Sequence, residues 1–274
     1  MLLRSFSAAA LACALATPAF AATPIVLAPH RAVYDLSLVK AGDMKGVDDA
    51  RGRIVFEVNG SVCEGYSSSF RQVVEMQSSE AGSRLLDVRS SSFEEAEGKG
   101  YRFQIDRSVN REDQPSAAGR TQTRDGVLAV QLTKPKTDSV KLPEKVMFPT
   151  FHTRALIEAA EAGQNTLSVR TYDGSDEGQA IYDTFAVIGA PITHKPDETI
   201  EDSARVPALQ QARSWPVTIS YYKIGNPDQN PAYVISMELY ENGVSRNLKL
   251  DYGSLVLKGD LARLDFSKPA AECK

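Results

Sequence analysis

The chain has 274 residues, of which 42% are hydrophobic and 24% charged, a composition typical of a globular protein and not of a disordered one. Its formal net charge of −4 argues against nucleic acid as a partner and against strong binding to an anionic membrane surface. Without its first 21 residues the chain has about 250 residues, enough for one large all-β domain or two small ones.

The first 21 residues have the three parts of a secretory signal peptide. Arg4 supplies a positive charge, residues 5–16 form an apolar run, and Ala19-Phe20-Ala21 is a small-x-small cleavage site. The apolar run is shorter than the roughly 20 residues that a transmembrane helix needs. We therefore expect cleavage after Ala21 or one residue later, and a periplasmic mature chain of residues 22–274 that forms a single domain. No other segment is apolar enough to span a membrane.

The cysteines predict one disulfide. Cys13 lies inside the signal peptide, where a lipoprotein cleavage site would leave a very short apolar region. Its removal leaves Cys63 and Cys273, and an even number of cysteines in an oxidising compartment predicts that they pair. Two buried free thiols are the alternative, but Cys273 is the second-last residue, a poor place for an inert core thiol. A metal site is disfavoured because structural zinc takes four ligands.

From residue 30 onward, short segments alternate apolar and polar residues. This period of two is typical of antiparallel strands with one face in water. The turn signal Asp125-Gly126 predicts a hairpin between two further strands. The alternating segments in the first half of the chain are residues 30–38, 52–58, 70–76, 84–88 and 101–106.

One segment has helical periodicity instead. Pro149-Thr150 is a start signal and Gly163 a stop signal. The residues between them include four apolar ones at helical spacing, namely Ala155, Leu156, Ala159 and Ala160. We predict a single helix over about residues 151–162.

Strand patterns resume at residues 167–172 and 180–188, and again from Trp215. Glu241-Asn242-Gly243-Val244 predicts another hairpin. Residues 189–214 have no clear periodicity, which leaves either a functional loop or a flexible connection. About a dozen strands without helical crossovers must close or curl, since a long open sheet exposes its edges and faces.

No arrangement of residues in the sequence predicts catalysis. The three histidines are His30, His152 and His194, and none belongs to a nucleophile or metalloprotease motif. We interpret His30 and His152 as surface or capping histidines, because a general base needs a proton donor within hydrogen-bond reach. The sequence therefore predicts a protein that is not an enzyme and has no catalytic, metal or cofactor site.

Three further polar or aromatic groups have structural interpretations. The acidic turn at residues 173–178 lacks the spacing of an EF-hand calcium loop and is interpreted as a hairpin connection. The serine runs at residues 67–69 and 90–92 are interpreted as polar strand faces, since no base accompanies them. Core or cross-strand pairing is preferred over a ligand groove for four tyrosines, namely Tyr221, Tyr222, Tyr233 and Tyr240.

An ordered set of segments spans nearly the whole mature chain, namely residues 28–34, 63–66, 147–153 leading into 159–163, 172–176, 239–244, 251–253 and 272–273. Together these segments resemble a known family, the EipB-type cell-envelope integrity proteins of α-proteobacteria. After the first cysteine of this set the family often has Gly-Trp, where this chain has Gly65-Tyr66.

The resemblance implies a mostly-β fold in which antiparallel strands form a spiral or incompletely closed barrel-like sheet with one packed α-helix. It also implies a structural disulfide at Cys63 and Cys273. The family is linked to envelope integrity under stress and to a periplasmic tetratricopeptide-repeat protein, which is thus the implied partner.

Two hypotheses of function follow. The first is a non-enzymatic periplasmic protein that supports cell-envelope integrity through protein partners. The alternative is a periplasmic carrier that binds a lipid or a lipoprotein acyl chain in the concave face of the curled sheet, since curled sheets can enclose an apolar cavity.

Overall fold

A single β-sheet dominates the fold. The computed structural model describes residues 25–41, 46–124, 126–194 and 199–268, so the predicted signal peptide and Cys273 lie outside it. The strands within these ranges are β1 (His30–Ala41), β2 (Asp49–Ser61), β3 (Gly65–Ser78), β4 (Gly82–Glu94), β5 (Tyr101–Val109), β6 (Glu112–Arg124), β7 (Val127–Lys134), β8 (Asp138–Lys141), β9 (Val146–Met147), β10 (Thr166–Thr171), β11 (Tyr182–Ile188), β12 (Ser214–Lys223), β13 (Tyr233–Tyr240), β14 (Ser245–Asp251) and β15 (Leu255–Phe266). The helices are α1 (Pro149–Glu161) and α2 (Pro207–Gln210), with 3-10 turns at Ala96–Gly98, Asp176–Gly178 and Asp202–Ala204.

The strand order joins the two halves of the chain through β1 and β15. It runs from β8 back to β1, then to β15 and back again to β9. Neighbouring strands are antiparallel except β9 and β10, which are parallel. The hairpin predicted at residues 241–244 is confirmed, because β13 ends at Tyr240 and β14 begins at Ser245. The strands predicted on either side of Asp125-Gly126 pair as β6 and β7.

The sheet curls until its two edges approach each other. β8 ends at Lys141 and β9 begins at Val146, yet these strands stand at opposite ends of the strand order. Five residue steps reach at most about 17 Å. A flat sheet of this width would hold its edges about 65 Å apart. The prediction of a spiral or incompletely closed barrel-like sheet is therefore confirmed.

The acidic turn after β10 packs against the opposite end of the spiral. Gly174 and Gly178 have φ of +80° and +81°. A Cβ on Gly174 would lie 2.4 Å from the Phe103 ring, and one on Gly178 would lie 2.5 Å from Leu132. These glycines thus allow the turn to lie against β5 and β7, so the turn has a structural role at the seam of the spiral.

Helix α1 confirms the predicted helix. Pro149 occupies its first turn and Gly163, with φ of +71°, follows its end. Leu156 and Ile157 are buried in one cluster with Trp215 of β12. In the described part of the chain, every helix falls short of the length and apolarity needed to cross a bilayer.

The aperiodic segment is packed where it is described. It contains the short helix α2, which the prediction of one helix did not include. Ala204 and Leu209 are buried against the inner face of the sheet, in the cluster that contains Leu257. The Ser203 hydroxyl also donates a hydrogen bond to the Leu261 carbonyl. These contacts hold residues 199–214 against β15.

Candidate functional site in the lumen of the spiral

The inside of the spiral contains two adjoining cavities, which we call the lumen. The deep compartment has a volume of about 260 Å³ and the wide compartment about 530 Å³. Protein interiors rarely contain voids much larger than a water molecule, so space on this scale is unusual for a core. The two compartments share apolar wall residues, namely Phe56, Phe70, Ile235, Met237 and Leu239.

The alternation of the strands places these walls. On β13, Tyr233, Ile235, Met237 and Leu239 occupy every second position and all line the lumen. Successive side chains of a strand point to opposite faces, so a curled sheet turns one whole set inward. The sequence predicted this shared face, and the carrier hypothesis expected an apolar cavity on the concave side of the sheet.

The deep compartment is lined mainly by apolar residues, and its larger polar groups are already hydrogen-bonded. His30 is 2% exposed, and its Nδ1 lies 2.7 Å from the Ala28 carbonyl oxygen. Tyr34 donates a hydrogen bond of 2.7 Å to the Ser245 carbonyl. Burial lowers the pKa of His30 and raises the pKa of Tyr34 to about 12, so both are neutral at neutral pH. The interpretation of His30 as a surface histidine is wrong, because its strand position faces the inside of the spiral.

The wide compartment has a polar stripe along β3 and β4. Ser68, Ser90 and Ser92 line it, and the Ser68 and Ser92 hydroxyl oxygens are 2.8 Å apart. Ser91, which lies between Ser90 and Ser92 in the strand, is on the outer face and is exposed. The serine runs are thus strand faces as predicted, but one of those faces is inside the lumen.

Tyrosines and a buried carboxyl form the polar end of the wide compartment. Tyr221 and Tyr233 pair across β12 and β13, as predicted, and their rings stack 4.3 Å apart while also lining the lumen. Asp173 lines the same compartment and accepts a hydrogen bond of 2.8 Å from the Ser175 amide. Burial raises the pKa of the Asp173 carboxyl, and this hydrogen bond only partly opposes the effect.

His152 projects from the first turn of α1 into the wide compartment. It is 5% exposed, and its ring lies 6.4 Å from the Tyr221 ring in an edge-to-face arrangement. Its Nε2 has no hydrogen-bond partner among the residues that the structure describes. Burial lowers the pKa of His152 to about 4, so the imidazole is neutral at neutral pH. The interpretation of His152 as a surface or capping histidine is wrong, since the curl of the sheet encloses it.

Glu94 fixes the start of α1 and so the position of His152. This last residue of β4 is fully buried, and its carboxylate accepts hydrogen bonds from the Thr150 amide at 2.7 Å and the Phe151 amide at 3.2 Å. The amides of a first helical turn lack partners within the helix, and Phe148 at the N-cap provides no side-chain cap. Burial raises the pKa of Glu94 to about 7, with the hydrogen bonds from α1 opposing it. Nothing in the sequence links Glu94 to a helix 55 residues later.

Glu94 and His152 should give opposite pH dependences to stability. Glu94, with a pKa raised from 4.5 to about 7, contributes stability below pH 4.5 that is lost as the pH rises through 7. His152, with a pKa lowered from 6.5 to about 4, contributes stability above pH 6.5 that is lost as the pH falls through 4. We expect the free energy of unfolding of Glu94→Gln, relative to the wild type, to rise by about 3 kcal/mol between pH 4.5 and 7.

Urea unfolding at several pH values between 4 and 8 measures this difference. Glu80→Gln, a charge-matched change at an exposed turn, should give a constant offset from the wild type. A Glu94→Gln curve that runs parallel to the wild-type curve would contradict the assignment of a raised pKa to Glu94.

A second buried polar group anchors the aperiodic segment to the sheet. Arg246 is 6% exposed and pairs with Glu238 and Glu201, at 2.7 Å in each case. Glu238 also accepts a hydrogen bond of 2.7 Å from Ser214 and lies 2.8 Å from His194 Nε2. Glu238 and Arg246 are opposite each other in the β13–β14 hairpin, but Glu201 and His194 are far away along the chain, so local patterns did not predict the group. It lies apart from the lumen, since none of these residues lines either compartment.

Cys63 lies in the exposed turn between β2 and β3 and is disulfide-bonded. Its predicted partner Cys273 lies outside the described residues, so the pairing stays a prediction. The strand before this turn, β2, and the C-terminal strand β15 lie on either side of β1, because His30 of β1 is opposite both Val58 and Phe266.

In the described ranges, no three His, Cys, Asp or Glu side chains are grouped so that they could hold a metal ion.

Comparisons with known proteins agree on one family. Residues 21–268 match the family model described as EipB-like. The chain is 37% identical over 249 residues to the cell envelope integrity protein EipB of Brucella abortus (strain 2308), which covers 90% of this chain and 87% of that protein. It is also similar to the crystal structure of a β-barrel-like protein of a domain of unknown function from Brucella abortus. That similarity has a TM-score of 0.81 and 35% identity, and covers 89% of this chain and all of the other.

Proposed function

The chain belongs to the EipB-like family, and on this premise we propose that it is a non-enzymatic periplasmic protein that supports cell-envelope integrity through protein partners. The observation that carries the proposal is the match, along nearly the whole chain, to a relative named as a cell envelope integrity protein. The signal-peptide pattern of residues 1–21 supports the location, and residues 22–274 then act as one domain built on the single sheet.

The contacts of the buried histidines support a protein that is not an enzyme. His30 is hydrogen-bonded to a backbone carbonyl, and His152 packs beside an aromatic ring. Neither makes a hydrogen bond with a serine hydroxyl among the described residues. By resemblance to the family, the partner is a periplasmic tetratricopeptide-repeat protein.

Deletion and complementation in the source bacterium test the proposal. We expect a deletion strain to become sensitive to detergent and EDTA, and the full chain to restore resistance. The same chain without residues 1–21 should not restore it, whereas residues 22–274 behind an unrelated periplasmic signal should. Restoration by the version without a signal would contradict periplasmic action. Normal resistance of the deletion strain would contradict the role itself.

Cross-linking in intact cells tests the protein partner. A tagged chain, cross-linked before lysis, should capture an envelope protein that an exported control protein of similar size does not capture. Deletion of that partner should reproduce the detergent sensitivity. A strain that lacks both proteins should be no more sensitive than either single deletion strain. Additive sensitivity would show that the two proteins act separately.

The lumen favours a second candidate function, a carrier of an apolar ligand. Its compartments, of about 260 and 530 Å³, fall near the range of about 300–1,000 Å³ typical of small-molecule sites. Most of the residues that line both compartments are apolar, and most of the polar lining belongs to the wide compartment. Saturable binding of a fatty acid by the purified protein is the result expected for this candidate.

A further inference from the structure

We propose that the lumen binds a single-chain amphiphile, with the far end of its apolar chain in the deep compartment and an oxygen of its head group hydrogen-bonded to His152 Nε2. This inference rests on the carrier function proposed above and adds the ligand class, its orientation and the residue that recognises the head group.

His152 provides the reason for a polar head at this place. A buried polar atom without a hydrogen bond destabilises the protein, and Nε2 has no such bond within the described residues. A neutral imidazole nitrogen can donate or accept a hydrogen bond according to its tautomer. A hydroxyl, carbonyl or carboxyl oxygen beside His152 would satisfy it, and an alkyl chain would not.

The unequal polarity of the two compartments sets the orientation. In the deep compartment, His30 and Tyr34 already have backbone partners, and Leu248 and Leu250 line the wall. The wide compartment alone contains His152. An apolar chain therefore fits the deep compartment at the lowest cost in polar desolvation, which leaves the head group in the wide one.

The outer part of the wide compartment suits a head group that carries a negative charge. Arg107 lines it and makes no ion pair among the described residues. Asp176, the exposed acidic residue there, is already paired with Lys223. Asp173 is the other carboxyl that lines this compartment, and burial raises its pKa. A fatty acid carboxylate in the wide compartment would thus share it with His152 and an available guanidinium.

Two serines on one strand provide a matched pair of variants. Ser90 lines the wide compartment and makes no side-chain hydrogen bond among the described contacts, so tryptophan at 90 would fill the lumen. Ser91 is its neighbour on the outer face and is exposed. The same substitution at 91 adds the same bulk outside the lumen.

Titration with cis-parinaric acid, an 18-carbon fatty acid that fluoresces in apolar surroundings, tests the proposal on the oxidised mature chain at pH 7.5. We expect saturable binding by the wild type and by Ser91→Trp, and none by Ser90→Trp. His152→Phe should weaken binding about tenfold, the effect of one lost hydrogen bond. His152→Gln, which keeps a polar side chain, should recover part of the affinity. Circular dichroism should first show that each variant folds, with Ser90→Leu as a smaller substitute if Ser90→Trp does not.

The outcomes separate this inference from the carrier function. No saturable binding by the wild type would overturn both. Loss of binding in Ser90→Trp with wild-type affinity in His152→Phe would leave the carrier function and overturn the role of His152. Wild-type affinity in a folded Ser90→Trp variant, with binding lost in Ser91→Trp, would place the fatty acid outside the lumen. Native mass spectrometry of protein purified from the periplasm tests the class of ligand. A co-purified phospholipid, which has two acyl chains, would overturn the assignment to single-chain amphiphiles.

Discussion

Arg246→Leu should lower the free energy of unfolding by about 3–5 kcal/mol, the cost of breaking a buried ion pair on one side. The guanidinium is 6% exposed and lies 2.7 Å from carboxylate oxygens of both Glu238 and Glu201. Leucine would remove the only arginine that these two described carboxylates contact, and Glu238, which is 4% exposed, would be left with Ser214 and His194 as its described partners. Urea unfolding at pH 7.5 measures the loss.

An exposed ion pair provides the control for Arg246. The side chains of Arg53 and Asp35 are 61% and 54% exposed and 2.7 Å apart. Such pairs contribute about 0–1 kcal/mol, so Arg53→Leu should change the free energy of unfolding by less than 1 kcal/mol. Equal effects of the two substitutions would mean that burial does not determine the strength of the Arg246 pairs.

A double substitution isolates the unpaired charge as the cause. Glu238→Gln combined with Arg246→Leu removes a buried carboxylate together with its partner, so the double variant should be more stable than Arg246→Leu alone. Hydrogen exchange should locate the damage in residues 199–214, because Glu201 joins that segment to Arg246. Unchanged protection there would contradict the view that this pair holds the segment on the sheet.

Local patterns predicted the elements of this fold. Alternation over Ile54, Phe56 and Val58 predicted β2, and Pro149 with Gly163 predicted α1, because strand faces, helix starts and helix ends depend on nearby residues. The spiral itself was expected from the family resemblance and from the number of strands. Its closure depends on a distant contact, in which the turn at Gly174 meets Phe103.

The candidate site was harder to predict for the same reason. Alternation assigns residues to a face, but it does not tell whether that face packs tightly or encloses a cavity. His152 was therefore interpreted as a surface or capping residue and Ser90 as part of a polar strand face, although both line the lumen. Glu94 and Glu201 have hydrogen-bond partners 45 or more residues away, and no local signal accompanies such contacts. The missed residues are those whose environment arises only when the sheet curls.

Cys63→Ser or Cys273→Ser should lower the free energy of unfolding by roughly 2–5 kcal/mol. A disulfide between them would close a loop of about 210 residues, and the loss of chain entropy in the unfolded state grows with loop length. Phe266 and Val58 flank His30 on adjacent strands, about 10 Å apart across the sheet. The seven residues from Phe266 to Cys273 can extend about 23 Å, so the chain end can reach the turn that contains Cys63.

Thiol chemistry separates loss of this bond from loss of a side-chain contact. If the pairing is right, both single variants and the double variant should melt at one temperature, and the wild type in reducing agent should melt there too. Each single variant should then have one free thiol, whereas the oxidised wild type has none in the mature chain. Two reactive thiols in the oxidised wild type would contradict the pairing. A double variant that melts well below the single variants would contradict it as well. A bond that ties the C-terminal residues to the β2–β3 turn would also hold β15 beside β1, the junction through which the two halves of the sheet form one spiral.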